Sequence, residues 1–458
     1  MKLALIGGGG VRSPLFVMSL VNWQERIGVD ELCLMDIDAR KLELFGALCR
    51  QIVQRAGEPF KVTTTQDART ALTGAHHVVT TIRVGQDVGR ARDERIALDH
   101  GVLGQETTGP GGFAMAMRSI PALLEYARLL QEVSPGAWMY NFTNPSGMVT
   151  QALRDAGFAN TIGICDGANC GQAAIAAWAG VEAAQVQAEV FGLNHLSWCR
   201  RTLIAGRDVL PEALADDRFL RESQPVFDPA LVRQIGMHCN EYLYYYYYAE
   251  QALQAMRQQK ASRGEEIVEL NRRLLEQLEA VDIDRNPEQA LRIFFGYEKR
   301  RNASYMHYAH GTAAFEAGDS SQVFDADIPA QAGEGYAGVA LAVIEALEHG
   351  SPLQIALNVP NQGAIQGMQP DDVVEVSCVV DGNGIHVMDI GGVPDAPLQL
   401  MQTIKRYERL SIDAILSSSR TKAVEALMVH PLVGSYPLAK VLVDDYLIAH
   451  QALVGEWR

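Results

Sequence analysis

The 458-residue sequence contains no run of eighteen apolar residues, no C-x-x-C, no H-E-x-x-H and no internal repeat. The first absence argues against a membrane-spanning helix, and the next two give no support to a structural zinc site. Basic residues are also scarce: 39 Lys and Arg face 55 Asp and Glu, a net charge of −16. That balance repels nucleic acid and anionic membrane, and an anionic substrate would depend on a local arginine cluster. The seven cysteines are scattered and odd in number, which argues against a disulfide framework and for a reducing cytoplasm. Met1-Lys2-Leu3-Ala4-Leu5-Ile6 resembles the front of a signal peptide, but it breaks at four glycines with no small-residue cleavage pattern and reads as a strand.

With 48% hydrophobic and 21% charged residues, the composition is that of a globular protein. The length implies more than one core. Strand-like runs at Leu3 to Ile6, Glu31 to Met35, Lys61 to Thr64, His77 to Ile82, Ala137 to Asn141 and Thr161 to Ile164 alternate with helix-period segments such as Pro14 to Trp23, Arg40 to Ala56 and Ser119 to Glu132. Such alternation predicts an α/β class with a Rossmann-like, doubly wound parallel sheet. Beyond it, helical segments at Glu241 to Met256, Gly264 to Leu278, Tyr336 to Glu348 and Ser411 to Met428 surround a strand-rich interval from Val373 to Ile390. These predict a C-terminal α+β lobe, with the domains divided at 1–190 and 191–458, and a ligand cleft between them.

Gly7, Gly8, Gly9 and Gly10 follow a strand and precede a helix, where glycines let a backbone approach a pyrophosphate at the helix N-terminus. Asp36 closes the second strand at the spacing expected of a carboxylate that binds a ribose hydroxyl. It favours NAD over NADP, because an acid would repel a 2′-phosphate. Arg12 stands where the third glycine of G-x-G-x-x-G is expected. Cys165 ends a strand and His195 follows a short apolar run. On spacing alone the cysteine reads more readily as a small hydrophobe, and the histidine as a satisfied core residue, than as ligands. As a pair they would leave coordination positions open for substrate oxygens, which suits a divalent Lewis acid.

Gly104-Gln105-Glu106-Thr107-Thr108-Gly109-Pro110-Gly111-Gly112, then Asn141-Phe142-Thr143-Asn144-Pro145, Cys165-Asp166 and Gly192-Leu193-Asn194-His195 occur in that order. Together with Ile82-Arg83-Val84-Gly85, Asp93-Glu94-Arg95 and Tyr242-Leu243-Tyr244-Tyr245-Tyr246, they resemble glycoside hydrolase family 4 over most of the chain. Members of that family depend on NAD and Mn²⁺, and many are 6-phospho-glucosidases. The resemblance implies Cys165 and His195 as metal ligands, Tyr242 as the base at C2 and Asp166 as an acid. It also implies Arg83 at the cofactor, and Arg90, Asn144, Asn194 and Arg263 at the sugar and its phosphate. Homodimers or homotetramers follow from the same likeness.

A C2 proton is too weakly acidic for a tyrosinate unless hydride is first removed from C3, whereupon the ketone acidifies C2 and a metal on the two oxygens stabilises the enolate. Tyr242, near ~10 unperturbed, then needs a neighbouring cation. Elimination, water addition and return of the hydride make the net reaction a hydrolysis, outside the two-carboxylate scheme. The linkage stays open. Glu106 to Gly109 and Asn141 to Asn144 resemble the branch acting on β-linkages, slightly favouring it, whereas Asp166 resembles the α-specific branch. Lys299 to Tyr305 matches the family only loosely, and Asp166 to Asn169 replaces a more apolar loop, so a non-phosphorylated hexoside or a uronide is an alternative substrate. An NAD-dependent sugar or hydroxy-acid dehydrogenase and a catalytically inactive NAD-binding regulator are the alternatives in other classes.

Overall fold

A computed structural model describes residues 1–306, 308–309, 323–330 and 335–458. Six parallel strands form the first half: β1 (Lys2–Ile6), β2 (Glu31–Met35), β3 (Lys61–Thr65), β4 (His77–Thr80), β5 (Trp138–Asn141) and β6 (Thr161–Gly163). Their spatial order, β3-β2-β1-β4-β5-β6, is the doubly wound order, so the chain reverses direction between β1 and β4 and opens a crevice at their carboxyl ends. Leu3, Leu5, Leu32, Leu34, Val78 and Val79 are fully buried, as expected for strands covered on both faces by helices.

The second half forms a hairpin of β7 (Val186–Leu193) and β8 (Leu196–Ile204), flanked by the short β9 (Arg207–Asp208) and β10 (His238–Cys239). It then adds β11 (Leu353–Pro360), β12 (Val373–Asp381) and β13 (Gly384–Val387). The strand-rich interval that the sequence places in a separate lobe instead extends the first sheet, as β13-β12-β11 alongside β6. The added strands run antiparallel, and β11 meets β6 where Asn358 faces Gly163. A Cβ at Gly163 would lie 2.8 Å from that of Asn358, so glycine permits the join. The physical reason for the extension is that β12 is apolar and buried almost throughout, and such a strand requires cover on both faces.

Two helical expectations break in the middle. Residues 241–256 form a 3₁₀ turn, Glu241–Leu243, then helices Tyr244–Tyr247 and Ala249–Gln258, because Tyr248 leaves helical geometry at φ −128°. The segment 411–428 divides into Asp395–Ser417 and Arg420–Val429 at Ser418, a left-handed residue with φ +47°. Ser419 caps the second helix by accepting from the Lys422 amide. The last helix, Tyr436–Val454, is fixed to the site-bearing helices by a buried cluster. Asp93 accepts two bonds from Arg118, at 2.9 and 2.6 Å, and lies 2.6 Å from His450 Nε2. Among the described residues no helix is long and apolar enough to cross a membrane.

Candidate active site

Three segments remote in sequence converge because each leaves a strand at the same crevice. Beyond β6 the chain passes through Ile164 to Cys165 and Asp166. The β7–β8 hairpin turns through Asn194 and His195, between the paired residues Leu193 and Leu196. His195 takes φ +63°, the positive-φ position of a type II-like turn and an uncommon one for a side chain with a Cβ. After β10, Asn240 accepts from the amide of Tyr242 and tightens the 3₁₀ turn that carries it.

The Cys165 Sγ and His195 Nε2 lie 3.5 Å apart, and Asp166 Oδ1 is 3.9 Å from the sulfur. The imidazole tautomer follows from its other nitrogen. Thr107 Oγ1 donates to Gln105 Oε1 at 3.0 Å, so its lone pair receives the proton on His195 Nδ1, also at 3.0 Å. Nε2 is thereby left unprotonated and directed at the sulfur, as a metal-binding histidine requires. Burial holds His195 down to about 4, so the ring is neutral at physiological pH. Burial, with Asp166 and Glu375 nearby, raises the Cys165 thiol, so a cation would be needed to stabilise its thiolate. A soft sulfur beside a neutral imidazole fits a divalent transition metal. Among the described residues no group of three or more His, Cys, Asp or Glu gathers to hold a metal, so substrate oxygens or water would complete the coordination.

The ring of Tyr242 stacks on that of His195, with centroids 3.9 Å apart and planes 12° from parallel. Its hydroxyl lies 3.2 Å from that of Tyr305, which donates to Glu241 at 2.6 Å. Burial, with Glu241 and Glu106, raises the Tyr242 phenol well above its ordinary value. Glu106 is held by two guanidinium groups, Arg83 Nη1 at 2.6 Å and Arg90 Nη1 at 3.1 Å. Against the opposing effect of burial, they keep its carboxyl down to about 2. Arg90 also donates to Glu94 at 2.8 Å. Arg263 donates to Ser304 Oγ and to the Arg301 carbonyl. It also donates to Glu266 at 3.3 Å, and burial, with Arg90 and Arg301 nearby, lowers its pKa despite that carboxylate.

These groups share one cavity of ≈1240 Å³ with Gly7, Gly9, Gly10, Asp36 and Asn144. Gly7 has φ +95°, and a Cβ there would lie 2.6 Å from the Thr81 carbonyl oxygen across the crevice. The loop thus lies flat against the end of β4, leaving a cradle next to the start of helix Ser13–Ile27. The Asp36 carboxylate accepts from the amides of Gly9 and Asp38, each at 3.0 Å, and so is fixed at the end of β2. This backbone and carboxylate pairing fits a dinucleotide.

Of the residues singled out in the sequence, two are not at the cavity wall. Gly8 faces β2, where a Cβ would lie 2.7 Å from that of Leu34. Asn194 donates to the buried Glu375 at 3.1 Å and hydrogen-bonds the Cys165 sulfur from behind the wall. Arg83 reaches the wall, with Glu106 as its closest partner. The sequence reading assigned no role to Glu106, Thr107, Glu241, Arg301, Tyr305 or Glu375. Glu106 and Thr107 lie within a quoted motif, and Glu375 is the one charge inside β12, whose other acid, Asp381, ends the strand.

The chain matches two family models, Family 4 glycosyl hydrolase over residues 2–180 and Family 4 glycosyl hydrolase C-terminal domain over residues 190–433. It is 30% identical to the 6-phospho-beta-glucosidase of Escherichia coli, over 98% of this chain and 95% of that one. It is 26% identical to a phospho-alpha-glucosidase of Clostridium acetobutylicum, over 100% and 98%. Among solved structures it superposes on the 6-phospho-beta glucosidase of Thermotoga maritima with manganese, NAD⁺ and glucose-6-phosphate. There the TM-score is 0.83 and the identity 28%, with both chains fully covered.

Proposed function

The chain belongs to family 4 of the glycosyl hydrolases, and on that footing we propose that it is an NAD- and Mn²⁺-dependent 6-phospho-glucosidase. The observation that carries this reading is the single cavity lined by the glycine loop, by Cys165, His195 and Tyr242, and by Arg90 and Arg263.

The glycine loop and Asp36 would hold NAD, which would supply reversible hydride transfer at C3 of the sugar. Cys165 and His195 would hold Mn²⁺, which would supply the positive charge that favours loss of the C2 proton to Tyr242. The chain's own residues do the rest. Tyr242 takes the C2 proton, and the stacked His195 ring fixes the plane in which its oxygen approaches. Asp166, at the cavity wall, gives a proton to the departing glycosidic oxygen. Asn144 faces the same space and hydrogen-bonds sugar hydroxyls. Arg263 and Arg90, which both line the cavity, receive the anionic substituent.

The relatives include enzymes for both linkages. β-Linked 6-phosphoglucosides are the first substrates to test, since a β-specific enzyme is among the relatives of highest identity. The Asp166 carboxyl in the cavity keeps α-linked ones in the panel. Unpaired cysteines, with Cys170 exposed, support a reducing compartment, and we place the enzyme in the cytoplasm as a homodimer or homotetramer. The test is hydrolysis of α- and β-glucosides, galactosides and galacturonides, with and without a 6-phosphate, in NAD⁺, Mn²⁺ and a reductant. Sugar release without net NADH supports the hydrolase. Net NADH accumulation would identify a dehydrogenase instead.

A further inference from the structure

Glu375 is 1% exposed, on β12, behind the cavity wall. Three donors converge on it: Asn194 Nδ2 at 3.1 Å and Asn358 Nδ2 at 3.0 Å on one oxygen, and Ser197 Oγ at 2.8 Å on the other. Asn194 precedes His195 in the turn that holds it at positive φ, and Ser197 lies just beyond that turn on β8. Ser197 also extends the network outwards. Its hydroxyl accepts from Asn240 Nδ2 at 3.3 Å and its carbonyl from the Asn240 amide at 2.9 Å. Asn240 Oδ1 in turn accepts from the amide of Tyr242 at 3.0 Å. One buried side chain therefore connects to the two residues whose rings stack at the centre of the site.

We infer that Glu375 is a positioning residue for both His195 and Tyr242, acting through an Asn194 arm on the first and a Ser197–Asn240 arm on the second. The inference rests on the roles proposed above for His195 and Tyr242. All three partners donate, so both oxygens of Glu375 must accept. A glutamine would set an NH₂ group against a donor, while an aspartate keeps two acceptors on a shorter stem. This accounts for a carboxylate in the buried interior of β12, where burying a charge is otherwise costly. Outer-shell partners of this kind orient metal-binding histidines, and their loss costs about ten- to a hundredfold in metal affinity.

The experiment uses full-length protein and three readouts: Mn²⁺ affinity from its electron paramagnetic resonance signal, NAD⁺ affinity by fluorescence, and exchange of the substrate C2 hydrogen with solvent deuterium. Glu375→Gln is expected to weaken Mn²⁺ about tenfold or more and to slow exchange, with NAD⁺ affinity within twofold of wild type. Glu375→Asp is expected to recover part of both losses. The arms separate in single variants. Asn194→Ala weakens Mn²⁺, whereas Ser197→Ala slows exchange and leaves Mn²⁺ affinity within twofold. Unchanged Mn²⁺ affinity and exchange in Glu375→Gln would overturn the inference, as would parallel losses of Mn²⁺ and NAD⁺ in all three other variants. Cys165→Ser is the control for the underlying reading: if it too leaves Mn²⁺ affinity intact, the metal site is wrong, not merely its support.

Discussion

The imidazole of His195 lies face to face with the phenol of Tyr242, 3.9 Å between centroids, so the residue assigned to the metal and the residue assigned to the C2 proton form one rigid unit. Tyr242→Phe preserves this stack and removes only the oxygen. It is expected to lower kcat by about 10²- to 10⁴-fold and to abolish exchange of the C2 hydrogen with solvent deuterium, while Mn²⁺ affinity is retained. Wild-type exchange in this variant, followed by NMR, would remove Tyr242 from the chemistry.

Metal dependence should pass through Cys165. Its neighbours raise the thiol, so only a bound cation makes its thiolate available at neutral pH. Cys165→Ser and chelation are both expected to stop turnover, and added Mn²⁺ should restore the chelated wild type but not the variant. Recovery of Cys165→Ser with micromolar Mn²⁺ would assign the metal elsewhere.

Arg263 should report on the anionic group of the substrate. Its guanidinium is buried beside Arg90 and Arg301, where an added anion relieves repulsion. Arg263→Ala is expected to raise KM for a 6-phosphoglucoside about ten- to a hundredfold, as for loss of a charged hydrogen bond of about 1.5–3 kcal/mol. The KM for any non-phosphorylated substrate should change little. Equal effects on both would mean that Arg263 holds the structure instead of the phosphate.

Stability should fall as the solution becomes acidic, for reasons away from the site. His238 is buried with Gln224 Nε2 3.2 Å from its Nε2, and His430 Nδ1 accepts from the Leu432 amide at 3.2 Å, so both rings are neutral acceptors in the fold. Burial depresses them to about 4 and about 3. The unfolded chain, with histidines near ~6.5, takes up protons first. Stability is therefore complete above that value and is lost as pH falls towards about 4, by about 2 kcal/mol for each ring at pH 5. Urea midpoints at pH 7.5 and 5 check this. Equal midpoints would contradict it, and His430→Gln should flatten the slope.

Much of this was legible in the sequence wherever local pattern governs. The six parallel strands, the glycine loop and Asp36 follow from alternation and from spacing within a short stretch of chain. The family motifs pair Cys165 with His195, but the 3.5 Å between two side chains thirty residues apart depends on where β6 and the β7–β8 turn end. The sequence places Asn194 at the sugar, and what no local pattern reveals is its bond to Glu375 across the fold. Glu375 carried a signal, a charge in an apolar strand, but its meaning required knowing that β12 lies behind the turn. The break at Tyr248 was hidden because a run of tyrosines has no helix-stop residue. The break at Ser418 was hidden because serine took the left-handed place usually given to glycine.

The join of β11 to β6 also bears on how the chain is made. Asn358 meets Gly163 only after nearly two hundred further residues have been synthesised. Until then a nascent chain would carry a finished glycine loop in a sheet whose edge strand, β6, is bare and open to pairing with other chains. Shortened versions ending near residue 190 should therefore be prone to aggregate on expression. Swapping cofactor halves between relatives would require carrying β11 to β13 along with them.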